Sequence, residues 1–109
     1  MLDQVAKGTA FILDDIKYDL NKLLSLTYYR LGRYFSTSEL AWVLEHNIPD
    51  PIRIREADLS DAILLAYDKE GRLTVIDGRD RLAKALIRHW PSIKGKLVTQ
   101  EDLNEVKMK

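Results

Sequence analysis

The sequence predicts an α+β fold, a small mixed β-sheet with packed helices that an N-terminal helix precedes. The first observation is a pair of mainly apolar runs, 62–67 and 73–76, whose separating segment contains a glycine, the pattern of a β-hairpin. The second is a change of apolar period from two to about 3.6 across Asp77 and Gly78, which indicates a strand, a turn and a helix. The third is an apolar repeat at helical spacing over residues 9–31.

The N-terminal segment predicts a helix. Residues 1–8 are too few and too mixed to indicate more than a frayed or weakly helical start. From Thr9 onward apolar residues recur every three or four positions, and Gly32 is placed to end the helix. We expect one long amphipathic helix, or two helices that break near Asp19, which would then be an N-cap. A strand at 11–18 is the alternative, because apolar and polar residues also alternate there.

The middle of the chain predicts a short strand, a helix and a connector. Residues 33–35 favour the strand. Ser36 and Glu39 have the spacing of a capping box, and the helix that they open is expected to end near Asn47. Residues 48–51 contain two prolines and predict a rigid connector.

The C-terminal part predicts a helix, a strand and a second helix. The helix after the hairpin is expected to end at Trp90, because Pro91 cannot continue it. The last strand is expected at 96–98. Thr99 and Asp102 then have the spacing of a capping box that opens a short helix.

Length and composition restrict the possible classes. The chain has 109 residues, enough for one structural domain, and we expect an N-terminal helical extension, 1–35, packed on a core at 36–109. The absence of cysteine excludes disulfides, cysteine nucleophiles and thiolate metal sites, and it fits a reducing compartment. We see no signal-peptide pattern and no apolar stretch of the roughly 20 residues that span a bilayer. We therefore expect a cytoplasmic protein without a membrane partner.

The junction between the hairpin and the next helix is the candidate site. The first N–H groups of a helix have no intrahelical partners and carry the positive end of its dipole, so they form an anion site. Gly78 lets the backbone approach an anion closely, Arg81 supplies a guanidinium fork, and Arg79 adds a second positive charge. These three residues predict phosphate binding.

Two carboxylates complicate this prediction. Asp80 stands where a phosphate would sit, so it either binds a ligand hydroxyl or a magnesium ion, or it weakens the site. Asp77 and Asp80 are also the candidates for catalysis, as the base of a phosphotransferase or the metal ligands of a nuclease. Such carboxylates beside a turn are more often helix caps, and we expect no metal site, because His46 and His89 lack metal-ligand spacing.

A basic face follows the junction. Arg81, Lys84 and Arg88 are spaced i, i+3 and i+7, which places them on one side of a helix. One interpretation is a face that follows a nucleic-acid backbone, and the other is a solvated helix surface. The net charge of zero argues against nonspecific nucleic-acid binding by the whole chain.

The hairpin and the residues after it resemble the ParB/sulfiredoxin-like superfamily. Its short members carry an Asp-Gly pair, a His-Arg-Leu segment and an alanine after the same hairpin, and the resemblance covers roughly residues 36–103. Asp80 stands where the short members usually have His. The residues of this chain that fall on the pattern are Asp77, Gly78, Arg81, Leu82 and Ala83.

The resemblance implies a stand-alone ParB-like module that binds a phosphate-bearing ligand, ATP or CTP with Mg²⁺ or a nucleic-acid backbone. Family members have a polar or basic residue on the pocket rim, and Arg55 is the candidate for this second anion contact. Sulfiredoxin activity is excluded, because it needs a cysteine.

Two alternatives stay open. One is a protein-interaction module, of the kind found in phages and mobile elements, with a vestigial pocket and a possible oligomer contact through the N-terminal helix. The other is a small phosphotransferase or nuclease.

Overall fold

The computed structural model describes residues 10–108, and within them the predicted α+β class is confirmed. They form five α-helices, one 3₁₀ helix and six strands in two sheets. In chain order these are β1 (Ala10–Leu13), β2 (Ile16–Asp19), α1 (Leu20–Thr27), β3 (Arg33–Ser36), α2 (Thr37–Leu40), the 3₁₀ helix (Ala41–Leu44), α3 (Pro51–Glu56), β4 (Ile63–Tyr67), β5 (Leu73–Asp77), α4 (Arg79–Ile87), β6 (Ser92–Leu97) and α5 (Gln100–Val106).

The described chain falls into two compact units. The terminal unit comprises the described parts of Met1–Arg30 and Val98–Lys109, and the central unit is Leu31–Leu97. These boundaries differ from the division after residue 35 drawn from the sequence, and the existence of one structural domain stays a prediction. The expected frayed start at 1–8 lies outside the described residues.

The terminal unit begins with a β-hairpin, β1 and β2, in place of the predicted helix. The prediction of a helix is therefore wrong for residues 10–19, and the alternative of a strand at 11–18 is closer to the structure. The reason is the turn between the strands. Asp14 and Asp15 have φ values of 52° and 67°, the left-handed conformation of both central residues in a type I′ hairpin turn.

Helix α1 begins where the two-helix interpretation placed a break. The Asp19 carboxylate accepts a hydrogen bond of 3.0 Å from the Lys22 N–H, which makes Asp19 the N-cap. The helix ends at Thr27, so Gly32 is not its stop.

Helix α5 begins with the predicted capping box and packs against α1 within the terminal unit. The Thr99 hydroxyl accepts from the Asp102 N–H at 3.2 Å, and the Asp102 carboxylate accepts from the Thr99 N–H at 2.8 Å. The Arg30 guanidinium donates two hydrogen bonds to the same carboxylate. These bonds, with Arg30 as the largest cause, lower the pKa of Asp102 to about 2.

The central unit contains a four-stranded mixed sheet of order β3-β6-β4-β5. The β3–β6 and β4–β5 pairs are antiparallel and the β6–β4 pair is parallel. The predicted hairpin is β4–β5, and its turn closes on Gly71, whose φ is 80°. The Asp68 carboxylate accepts from the N–H groups of Glu70 and Arg72 in this turn.

The helices of the central unit pack against this sheet or against one another. The core is a cluster of buried side chains, Leu40, Val43, Ile63, Leu65, Val75, Leu82, Ala85 and Ile93. The helix predicted between Ser36 and Asn47 is instead one turn of α-helix, α2, followed by the 3₁₀ helix. Its Ser36 N-cap is confirmed, because the hydroxyl accepts from the Glu39 N–H.

Two helix boundaries in the central unit differ from the sequence interpretation. Helix α3 was not predicted, although Asp50 and Pro51 are residues typical of an N-cap and a first helical position. Helix α4 ends at Ile87, before the predicted Trp90, because His89 adopts a left-handed conformation with φ of 59°.

No helix within residues 10–108 has both the length and the apolar character needed to cross a membrane.

Candidate functional site

The candidate site lies where β5 passes into α4, as the sequence predicts. Gly78 joins them in a left-handed conformation, with φ of 113°. A Cβ atom at this position would overlap the Ile63 side chain, approaching its Cβ to 2.8 Å. Both the backbone conformation and the close contact therefore require glycine here. The requirement is one of folding, whatever binds at the junction.

Helix α4 starts without a side-chain cap. The other four α-helices of the described chain are capped by Asp19, Ser36, Asp50 and Thr99. Gly78 has no side chain, and within the described residues no side chain accepts from the first turn of α4. The predicted alternative, in which Asp77 caps this helix, is therefore wrong. The N–H groups of the first turn stay open at the positive end of the helix dipole.

This uncapped start opens onto a surface hollow of about 520 Å³, here called the junction hollow. Three guanidinium groups line it, those of Arg53, Arg79 and Arg81. Five carboxylates also line it, those of Glu56, Asp58, Asp61, Asp77 and Asp80. The lining side chains thus carry a net charge of two negative units when all are ionised.

Arg81 lies at the wall of the junction hollow and is held there by the backbone. Its Nη1 donates a hydrogen bond of 3.0 Å to the Ala62 carbonyl oxygen. This bond uses one of the five N–H donors of the guanidinium. Within the described residues Arg81 makes no ion pair, so its other donors are available to a ligand, while its charge also acts on the nearby Asp58 carboxylate.

Asp80 pairs with Arg53 across the hollow. Its Oδ2 lies 3.2 Å from the Arg53 Nη2, and the Arg53 side chain is 73% exposed. The structure thus gives Asp80 a protein partner, a role that the sequence did not indicate. Binding of a ligand hydroxyl or of magnesium by Asp80 stays a prediction.

The basic residue on the hollow's rim is Arg53 and not Arg55. Both arginines belong to α3, and only Arg53 lines the junction hollow. The reason is geometric, since residues two positions apart on an α-helix point in nearly opposite directions. The prediction of Arg55 rests on the family resemblance, without a predicted helix at this segment. If Asp50 and Pro51 are interpreted as a helix start, the helical period places Arg53 and Arg55 on different sides of that helix.

The predicted basic face is not a continuous charged surface. The Lys84 Nζ donates to the carbonyl oxygens of Arg55 and Ala57, at 2.7 and 2.6 Å, and so binds the last turn of α3. Arg81 bonds to Ala62, as described above, and only Arg88 is an exposed member of the three. Binding of nucleic acid by this face stays a prediction.

The carboxylates of the hollow do not form a metal site by themselves. Within residues 10–108 no three His, Cys, Asp or Glu side chains are grouped closely enough to hold a metal ion. Asp58 is one of these carboxylates. Hydrogen bonds from Ser60, reinforced by Arg81 and Lys84, lower its pKa, so it stays ionised at neutral pH. Catalytic roles for Asp77 and Asp80 stay predictions.

Comparison with known proteins identifies no relative. No protein-family model matches the chain, and no curated protein or solved structure matches it.

Proposed function

We propose that this protein is a small module that binds a phosphate-bearing ligand in the junction hollow. The observation that carries the proposal is the uncapped start of α4, which opens onto a hollow that Arg79 and Arg81 also line. Open helix N–H groups, a positive dipole end and guanidinium groups are the usual components of a phosphate site.

The charge of the hollow indicates the ionic form in which the phosphate binds. A wall with two excess negative charges repels a bare polyphosphate, whereas a magnesium complex of the same ligand carries less negative charge. Mg²⁺ binds through one or two carboxylates together with substrate phosphates, so it needs no complete protein site. We therefore infer that the ligand is a polyphosphate that brings Mg²⁺ with it, and the ParB/sulfiredoxin-like resemblance suggests the nucleoside triphosphate ATP or CTP. The volume of about 520 Å³ falls in the usual range for small-molecule pockets.

The ParB/sulfiredoxin-like resemblance supports the same conclusion. Its pattern residues lie at the junction, where Asp77, Gly78 and Arg81 line the hollow, and Leu82 and Ala83 are buried. We propose on this basis that the sheet and its helices are a ParB-like core.

Thermal unfolding with and without ligand tests the proposal. MgATP, MgCTP or magnesium tripolyphosphate should raise the melting temperature, because a ligand that binds only the folded state stabilises it by about 2.7 kcal/mol at a hundred times its Kd. Arg79→Ala should reduce the shift, because Arg79 is exposed, lines the hollow and has no partner among the described residues. Arg55→Ala is the matched control, an exposed arginine nearby that does not line the hollow. If none of the three ligands shifts the melting temperature, phosphate binding is wrong.

A protein-interaction module is the second candidate, and an exposed aromatic pair favours it. The rings of Tyr28 and Tyr29 meet edge to face, with centroids 4.8 Å apart, and these residues are 68% and 91% exposed. Tyrosine is enriched at protein interfaces. This candidate predicts self-association in analytical ultracentrifugation that Tyr29→Ala abolishes. A chain that stays monomeric at high concentration, with or without the substitution, would remove the argument for a self-contact here.

A further inference from the structure

A second hollow lies beside the junction hollow in the central unit. It has a volume of about 610 Å³ and is lined in part by Trp90 and Arg88, so we call it the Trp90 hollow. The two hollows share three wall residues, Glu56, Ala57 and Asp58. A ligand that fills the junction hollow therefore has the Trp90 hollow next to it.

The two tryptophans of the chain differ in what their indole groups do. The Trp42 indole N–H donates to the Leu73 carbonyl oxygen at 3.2 Å, and the Arg72 guanidinium lies 3.6 Å above its ring. Trp90 is 40% exposed, and within residues 10–108 its indole makes no hydrogen bond, ring contact or cation–π contact. The Trp42 indole thus makes contacts within the folded chain, and the Trp90 indole is open to a ligand.

The backbone holds Trp90 in a defined position. Its N–H donates to the Ala85 carbonyl oxygen at 2.9 Å, and its own carbonyl oxygen accepts from the Thr37 hydroxyl at 2.6 Å. The left-handed backbone conformation of His89 turns the chain so that Trp90 can make these hydrogen bonds. An aromatic side chain on a fixed backbone loses little conformational entropy when a ligand packs against it.

The polar groups around the indole fit a heteroaromatic ring. Arg88 is exposed and makes no ion pair among the described residues, so it offers donors. Glu56 and Asp58 offer carboxylate acceptors. A nucleobase presents a flat π-face for stacking together with donors and acceptors at its edge. An aliphatic group, in contrast, cannot form hydrogen bonds with these polar side chains.

We propose that the Trp90 hollow binds the base of the nucleotide whose phosphates occupy the junction hollow. The inference rests on the proposed function and specifies its ligand, because it requires a nucleotide and not a phosphate alone. Stacking on Trp90 then adds affinity that inorganic tripolyphosphate does not gain.

Calorimetric titration of the full chain with MgATP, MgCTP and magnesium tripolyphosphate tests the inference. We expect the better nucleotide to bind about 5- to 100-fold more tightly than tripolyphosphate, the gain typical of one stacked base. Trp90→Ala should remove this difference and leave the affinity for tripolyphosphate unchanged. Tyr67→Ala, which removes another exposed aromatic side chain of the central unit, should preserve the difference.

Tryptophan fluorescence gives an independent readout with a milder variant. Nucleotide should quench the emission of the wild-type protein, and Trp90→Phe should lose the quenching, because the Trp42 indole is already covered by Arg72. The base site would be overturned if the nucleotide binds no more tightly than tripolyphosphate, or if Trp90→Ala keeps the difference in affinity between the two ligands. Either result would leave phosphate binding intact. Failure of all three ligands to bind would instead reject the proposed function, and the base site with it.

Discussion

The Asp80 carboxylate lies 3.2 Å from the Arg53 guanidinium, so an ion pair links the first turn of α4 to α3 at the junction hollow. Because the Arg53 side chain is 73% exposed, this pair contributes at most about 1 kcal/mol to the free energy of unfolding. Its larger consequence is electrostatic. Asp80 neutralises Arg53 and adds a negative charge beside the uncapped helix start.

The first prediction is that Asp80→Asn strengthens phosphate binding. The substitution removes one negative charge from the hollow and frees Arg53, so the affinity for tripolyphosphate should rise several-fold, or about 1 kcal/mol, at low ionic strength. Calorimetric titration at two salt concentrations measures the effect, which should shrink as salt increases. Glu45→Gln, a charge removal at an exposed residue outside the hollow, is the control and should change nothing. Weaker binding by Asp80→Asn would show instead that Asp80 contacts the ligand or its magnesium ion.

The second prediction concerns two glycines with left-handed backbones. Gly71→Ala meets open space and should cost only the conformational strain, about 1 kcal/mol. Gly78→Ala adds an overlap with Ile63 to the same strain and should lower the free energy of unfolding by about 3 kcal/mol. Urea unfolding of both variants measures the difference. Equal losses would mean that the chain around Ile63 relaxes without cost.

The junction was predictable because its signals are local. A β-branched run, Asp-Gly and a change of apolar period follow one another within a few residues, and each reports on the backbone at its own position. The partners of the charged residues were not predictable in this way. The bond of Arg81 to Ala62 and the pair of Asp80 with Arg53 join segments that are distant in sequence, and only the fold brings them together.

The third prediction is that His89→Gly stabilises the protein. His89 follows the last turn of α4 with φ of 59°, and the hydrogen bonds of His89 to Leu86 and of Trp90 to Ala85 form a Schellman motif. Glycine adopts this conformation without strain, so the free energy of unfolding should rise by about 0.5–1 kcal/mol. Arg88→Gly is the control, because φ at that position is −85° and glycine should destabilise it. Destabilisation by both substitutions would show that the His89 side chain contributes more than its backbone strain costs.

The N-terminal hairpin shows why apolar spacing alone misassigned a segment. Ile12 and Ile16 fit a helical repeat as well as an alternating one, so the period did not decide between helix and strand. The deciding residues were Asp14 and Asp15, which form the turn, and Asp19, which starts the helix. Aspartate is common at N-caps and also within polar helix faces, so its role became clear only from the backbone conformation.

The fourth prediction is an acid-dependent loss of stability that Asp102 causes. The Arg30 guanidinium and the capping hydrogen bonds lower the pKa of Asp102 from 3.8 to about 2, so the ionised carboxylate stabilises the folded state. This contribution is fully present above the unfolded pKa and is lost as pH falls from about 5 towards the folded value. Asp102→Asn should therefore lower the free energy of unfolding by about 1–2 kcal/mol at neutral pH, a figure reduced because Arg30 is partly exposed.

Urea unfolding at a series of pH values checks the prediction. The difference between the wild-type protein and Asp102→Asn should shrink as pH falls towards about 2, because protonation then removes the same charge from the wild-type carboxylate. Glu105→Gln removes an exposed carboxylate from the same helix and should leave the pH dependence unchanged. A deficit in Asp102→Asn that stays constant across this range would assign the loss to helix capping or packing. The bond from Arg30 would then contribute through its geometry and not through its charge.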